Sequence, residues 1–130
     1  MIAAIANFLV YFVTATVLLL ASLALYTMIL PMKEWDLIKS GNSAAALTVA
    51  GATIGFALPL AESIRQSNSL TNMITWAAIS LIVQLLGFGA VRLWRQDAVA
   101  AIENGDMAEA ILLTAASVSL GLINAACLVS

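Results

Sequence analysis

Long apolar runs separated by short polar stretches dominate the chain. The first extends from about Asn7 to Leu30 and meets Pro31, which cannot continue a helix cleanly. The second runs from about Ser43 to Ala61 and stops at Glu62. The third covers about Asn72 to Val91 and stops at Arg92, and the fourth covers about Met107 to Leu128. None alternates polar and apolar positions, so strands are not indicated. About 20 apolar residues rising ~1.5 Å each cross the ~30 Å hydrocarbon core. Inside lipid the backbone must bond within its own segment. The pattern therefore predicts an all-α membrane protein with four transmembrane helices in one integral domain, 1–130.

The polar stretches repeat. Ile38, Gly41, Ala44 and Ala46 return as Ile102, Gly105, Ala108 and Ala110 at one offset of 64 residues (102 − 38), and Asn42 and Thr53 return as Asp106 and Ser117. The chain reads as two tandem helix–loop–helix copies, about 7–66 and 71–130. Two spans per copy is an even number, so both copies are expected to insert the same way up. A pseudo-two-fold along the membrane normal follows, the parallel type of repeat.

Composition sharpens this picture. At 130 residues, 63% hydrophobic and 9% charged, with a net charge of −2, the chain has too little polar surface for a soluble domain. Its five basic residues are scattered, which gives no reason to expect nucleic acid. Histidine is absent and there is one cysteine, Cys127, so the commonest general base, an internal disulfide and a cysteine metal site are all excluded. No cofactor, metal or catalytic residue is expected. Met1 to Val10 has no Lys or Arg, and the apolar stretch runs far past the ~7–15 residues of a signal peptide. A retained membrane helix is expected there.

Lys33 and Lys39 lie between spans one and two, Arg92 and Arg95 between three and four, and only Arg65 in the middle loop. The positive-inside rule places the loops at about 31–43 and 92–106 in the cytoplasm and both termini outside. Trp35 and Ile38 sit three apart, with Glu34, Asp36 and Lys39 around them, as in a short interfacial helix anchored by Trp35. Trp94, Val99 and Ile102 take that role in the second copy. Gly41 and Gly105 supply left-handed turns, and Asn42 and Asp106 stand where the next span needs an N-cap. Asp106 and Glu109 have capping-box spacing. Helix stop and start chemistry thus accounts for the repeat; a polar cluster at the cytoplasmic mouth is the other reading.

Within the spans, Gly51 and Gly55 form a GxxxG, and Ser117, Gly121 and Ala125 keep the same spacing. Small residues let helices approach closely in lipid, so spans two and four are expected to form the inner pair, an interface between protomers being the other reading. Pro59 frees the carbonyl of Gly55. Asn124 lies at nearly the equivalent depth, with Thr53, Ser117 and Ser119 nearby. These residues suggest either an outward polar pocket or plain interhelical bonding. Gln84, the most polar side chain near a span centre, must face protein or water. Glu62 and Arg65 read as a solvated loop edge, and Cys127 as a buried thiol.

The run Glu34-Trp35-x-Leu37-Ile38-Lys39-x-x-Asn42-x-Ala44-Ala45-Ala46, with Gly51-x-x-x-Gly55-x-x-x-Pro59-Leu60, Gln84-Leu85-Leu86, Val91-Arg92-Leu93 and Asn124-Ala125-Ala126-Cys127, resembles the YjfL-like family of bacterial inner-membrane proteins. The resemblance covers nearly the whole chain. It implies a small polytopic inner-membrane protein with an envelope-associated role, and it brings no catalytic residues. The function expected is a non-enzymatic, homo-oligomeric component in the bilayer that anchors or signals to partners at its cytoplasmic face. The alternative is a channel or transporter for an ion or small solute past Gln84, Pro59 and Asn124. A membrane enzyme would need Glu62, Glu109 or Cys127 to converge, and Glu109 is expected on the opposite side from the other two.

Overall fold

The computed structural model describes residues 1–29 and 34–128, without the side chain of residue 29. Six helices follow in order: α1 (Ile2–Ile29), α2 (Glu34–Lys39), α3 (Ser43–Gln66), α4 (Leu70–Trp94), α5 (Ala98–Glu103) and α6 (Met107–Ala126). Strands are absent among the described residues. Four of the helices are long and apolar enough to cross a membrane: Ile2–Met28, Ser43–Gln66, Leu70–Trp94 and Met107–Ala126.

The two short helices end alike. Gly41 (φ 90°) and Gly105 (φ 79°) donate to the carbonyls of Ile38 (3.0 Å) and Ile102 (2.9 Å). The next amides, of Asn42 and Asp106, reach Leu37 and Ala101, each at 2.9 Å. This is the paired closure that a left-handed residue allows. Asn42 and Asp106 then cap α3 and α6, accepting from the amides of Ala45 (3.0 Å) and Glu109 (3.2 Å). The starts of α2 and α5, and those of α3 and α6, keep the 64-residue offset.

Helix α3 lies at the centre and packs most extensively on α6. The two run parallel: Thr114 donates to the Leu47 carbonyl at 3.0 Å, and further along Gly55 meets Gly121. The approach is close. A methyl placed on Gly121 would come within 2.6 Å of the Gly55 carbonyl oxygen, and one on Gly55 within 2.7 Å of the Ser117 oxygen. Helix α4 packs on both α3 and α6. Helix α1 lies against α3 and α4 and exposes most of its apolar side chains, including Phe8, Leu9, Phe12, Val13 and Val17.

Several boundaries differ from the hydropathy reading. The end of the first span at Pro31 lies outside the described residues, but α1 already begins at Ile2. Helix α3 does not stop at Ala61. It continues through Pro59, whose cost is confined to its missing N–H and one carbonyl a turn back. Beyond that, Glu62 bonds Arg65 at 2.7 Å and Gln66 at 2.9 Å, so these residues form a helical turn and not a loop edge. Helix α4 starts two residues earlier than expected, where Ser69 accepts from the Asn72 amide at 3.1 Å, and runs on to Trp94. Trp94 is therefore the last residue of a long helix and not an anchor on the short one. The register counterpart of Trp35 is Val99. Helix α6 ends at Ala126, and Cys127 is exposed rather than buried.

Candidate functional site

Two polar constellations occupy the bundle. The first lies at mid-depth where α3, α4 and α6 meet. Gln84, 1% exposed, donates through Nε2 to the Ser117 carbonyl at 3.1 Å and accepts through Oε1 from Asn124 Nδ2 at 3.2 Å. Asn124 Nδ2 also donates to the Ser80 carbonyl at 2.7 Å. An unpaired amide in an apolar interior would cost several kcal/mol; here each finds a partner across a helix interface. The absence of a side chain at Gly55 makes room for the amide, since a Cβ there would lie 2.9 Å from Gln84 Nε2. Thr53 donates to the Val49 carbonyl of its own helix, outside this network.

Pro59 and Asn124 do not line a common opening. Pro59 is buried against the packed face of α3, and the Asn124 amide is taken up by α4. A cavity lies beyond them, at the end holding the 67–69 turn. It measures about 150 Å³ and is lined by Ser63, Gln66, Asn68, Asn72, Trp76 and Cys127, among others.

The second constellation lies at the other end, beneath the short helices. Glu34, at the start of α2, is 1% exposed. Its nearest opposite charge is Arg92 Nη2 at 3.9 Å, too far for a hydrogen bond. Among the described residues neither carboxylate oxygen has a hydrogen-bond partner, and Arg92 Nη1 lacks one too. Arg92 Nη2 donates to the Tyr26 hydroxyl at 3.3 Å, and the Tyr26 ring packs edge-on against Phe56 and Phe88 with centroids 6.2 and 5.3 Å away. Burial pushes the Glu34 carboxyl up to about 7 from an ordinary 4.5, with Arg92 pulling against it. Nearby, Arg95 holds Glu109 in a two-point ion pair, Nε to Oε1 at 2.8 Å and Nη2 to Oε2, and its guanidinium lies 5.3 Å from the Trp94 ring centroid. Glu109 thus serves Arg95 and does not complete a reciprocal capping box with Asp106.

The loops that follow the short helices meet. Asn42 Nδ2 donates to the Ile102 carbonyl at 2.8 Å, fastening the two loops together. Between them lies an open hollow of about 450 Å³ lined by Ser40, Gly41, Asn42, Glu103, Gly105 and Met107, among others. Trp35 and Trp94 are exposed, whereas Ile102 is fully buried and Ile38 half-buried.

Glu34 was not separable by composition from the other charges of its loop. The signal was periodicity. Glu34, Leu37 and Ile38 stand at i, i+3 and i+4 and share a helical face, the face that packs on the core. The register counterpart of Glu34 is Ala98, itself 1% exposed.

The family model described as Domain of Unknown Function (DUF350) matches residues 1–128. The chain is similar to the UPF0719 inner membrane protein YjfL of Escherichia coli (strain K12), 33% identical over 118 residues, which are 91% of this chain and 89% of that protein. It is also similar to the UPF0719 transmembrane protein YshE of Bacillus subtilis (strain 168), 31% identical over 78 residues, 60% of this chain and 58% of that one. No solved structure matches.

Proposed function

As a multi-pass membrane protein that belongs to the Domain of Unknown Function (DUF350) family, the chain is, we propose, a non-enzymatic component of envelope homeostasis in the inner membrane. It works as an oligomer and engages protein partners through its loop end. That end carries Lys39, Arg92 and Arg95 against Arg65 alone at the other, so it faces the cytoplasm and the termini lie outside. The two halves then stand the same way up about a pseudo-two-fold along the membrane normal.

The observation that carries the docking reading is the joining of the two loops by the bond from Asn42 to the Ile102 carbonyl. It holds the hollow between them open as one continuous surface with contributions from both copies. The mid-depth amides support a fastening role over a solute path, because Gln84 and Asn124 spend their donors on backbone carbonyls and on each other. A photo-crosslinking residue placed at Ser40 or Asn104, and at Asn68 as the opposite-end control, tests this in cells. Discrete protein adducts are expected from the first two positions alone. Adducts equally distributed over both ends, or only lipid adducts, would sink the docking reading.

A further inference from the structure

We propose that Glu34 is a proton-binding site whose occupancy sets the position of α2: protonated, it keeps the short helix packed on the bundle, and ionised, it displaces it. The inference does not depend on what the loops dock. It starts from the internal repeat. The counterpart of Glu34 is Ala98, equally buried at the start of α5. The architecture therefore accepts a small apolar side chain at this position, and the carboxyl in the first copy is not needed for the fold.

The site suits a neutral acid better than an anion. Among the described residues no backbone or side-chain donor reaches either oxygen of Glu34, whereas a buried carboxylate ordinarily requires several. The groups facing it are Arg92 from α4, at 3.9 Å, and the Tyr26 hydroxyl from α1, which already accepts from Arg92. Asp36 and Lys39 on its own helix are exposed, the charges of α3 (Glu62 and Arg65) lie at its far end, and Glu109 of α6 is held by Arg95. Among the described residues one partly engaged guanidinium opposes desolvation. The carboxyl titrates near 7 while packed, so the switch falls in the range a cell experiences. For an acid held above its ordinary value, the packed state binds the proton more tightly. Packing is then strongest at low pH and weakens as pH climbs from about 4.5 to about 7. Linkage puts the fall in the packed-to-displaced ratio between pH 5 and 8 on the order of 50-fold.

Trp35, adjacent to Glu34 and half-exposed, reports the displacement once Trp76→Phe and Trp94→Phe remove the other indoles. In lipid nanodiscs the accessibility of Trp35 to an aqueous quencher is expected to rise as pH climbs from about 5 to about 7 and to stay at its low-pH value throughout in Glu34→Gln. A flat Trp35 response with Glu34 present, or an unchanged titration in Glu34→Gln, overturns the proposal. Hydrogen exchange on the unaltered chain gives a second reading that needs no variant. With intrinsic pH effects corrected, α2 should lose protection between pH 5 and 7 relative to α5, its counterpart of equal length with Ala98 in place of the buried acid, and a constant ratio overturns the proposal equally.

Discussion

At the scale of single residues, burial and partner count separate the polar side chains into two kinds. Gln84 and Asn124 are satisfied by interhelical bonds. Such bonds in membrane helices average about 0.6 kcal/mol and reach ~1.7. A double-mutant cycle of Gln84→Leu and Asn124→Leu, read by unfolding in mixed micelles, is expected to return a coupling within that range. A coupling near zero would mean the 3.2 Å contact between the two amides contributes no stability. Glu34 is the other kind, a carboxyl without a bond. Its packed value of about 7 against 4.5 corresponds to a penalty on the order of 3 kcal/mol for keeping the ionised form buried. Arg92 is the group that limits this penalty. Arg92→Met, which removes the charge and keeps the stem, is expected to move the Glu34 midpoint above 7. The sign follows: the variant should lose little stability against the parent at pH 5, and the gap should widen as pH passes 7. Thermal midpoints at pH 5 and pH 8.5 check it, and a gap independent of pH would remove Arg92 from this role.

At the scale of elements, glycine spacing separates a true helix contact from composition. Gly55 and Gly121 face backbone, and Gly51 would strike Thr114 at 2.9 Å, yet a Cβ on Gly89 meets nothing within 4 Å. Gly121→Ala is expected to destabilise by about 1–3 kcal/mol, the usual cost of overpacking, because a backbone carbonyl cannot swing aside. Gly89→Ala should stabilise by roughly 0.5–1 kcal/mol through helix propensity. Chemical unfolding of both variants in one detergent decides between them, and equal effects would contradict the close α3–α6 crossing. Much of this level was legible in the sequence. The four spans, the left-handed glycines and the caps at Asn42 and Asp106 follow from local chemistry that each residue carries with it. Helix ends at Glu62 and Arg92 were misplaced because hydropathy marks where lipid stops, not where backbone bonding stops. The burial of Glu34 was hidden for a different reason. Six residues of α2 offer three apolar side chains on two possible faces, and only the docking of Leu37 and Ile38 onto the core selects one.

At the scale of the molecule, the helices form a graded assembly: α3 is central, α4 and α6 flank it, and α1 is held along one side with residues Ile2 to Val10 all exposed. Lipid is one solvent for that face of α1, and a neighbouring copy is the other that the proposed oligomer requires. The orientation of this assembly rests on basic residues that the fold then employs structurally. Arg92 is engaged with Tyr26 and Arg95 with Glu109, so the proposed orientation rests on side chains that also serve the fold. That leaves orientation open to a direct test with the exposed Cys127, at the end opposite the loops. A membrane-impermeant maleimide added to spheroplasts is expected to label Cys127 in the intact state. In the Cys127→Ser background, Ser40→Cys and Asn104→Cys should label only after the membrane is opened. The reverse pattern would invert the protein and place α2 outside, where the acidity sensed by Glu34 would be that of the surroundings and not of the cell.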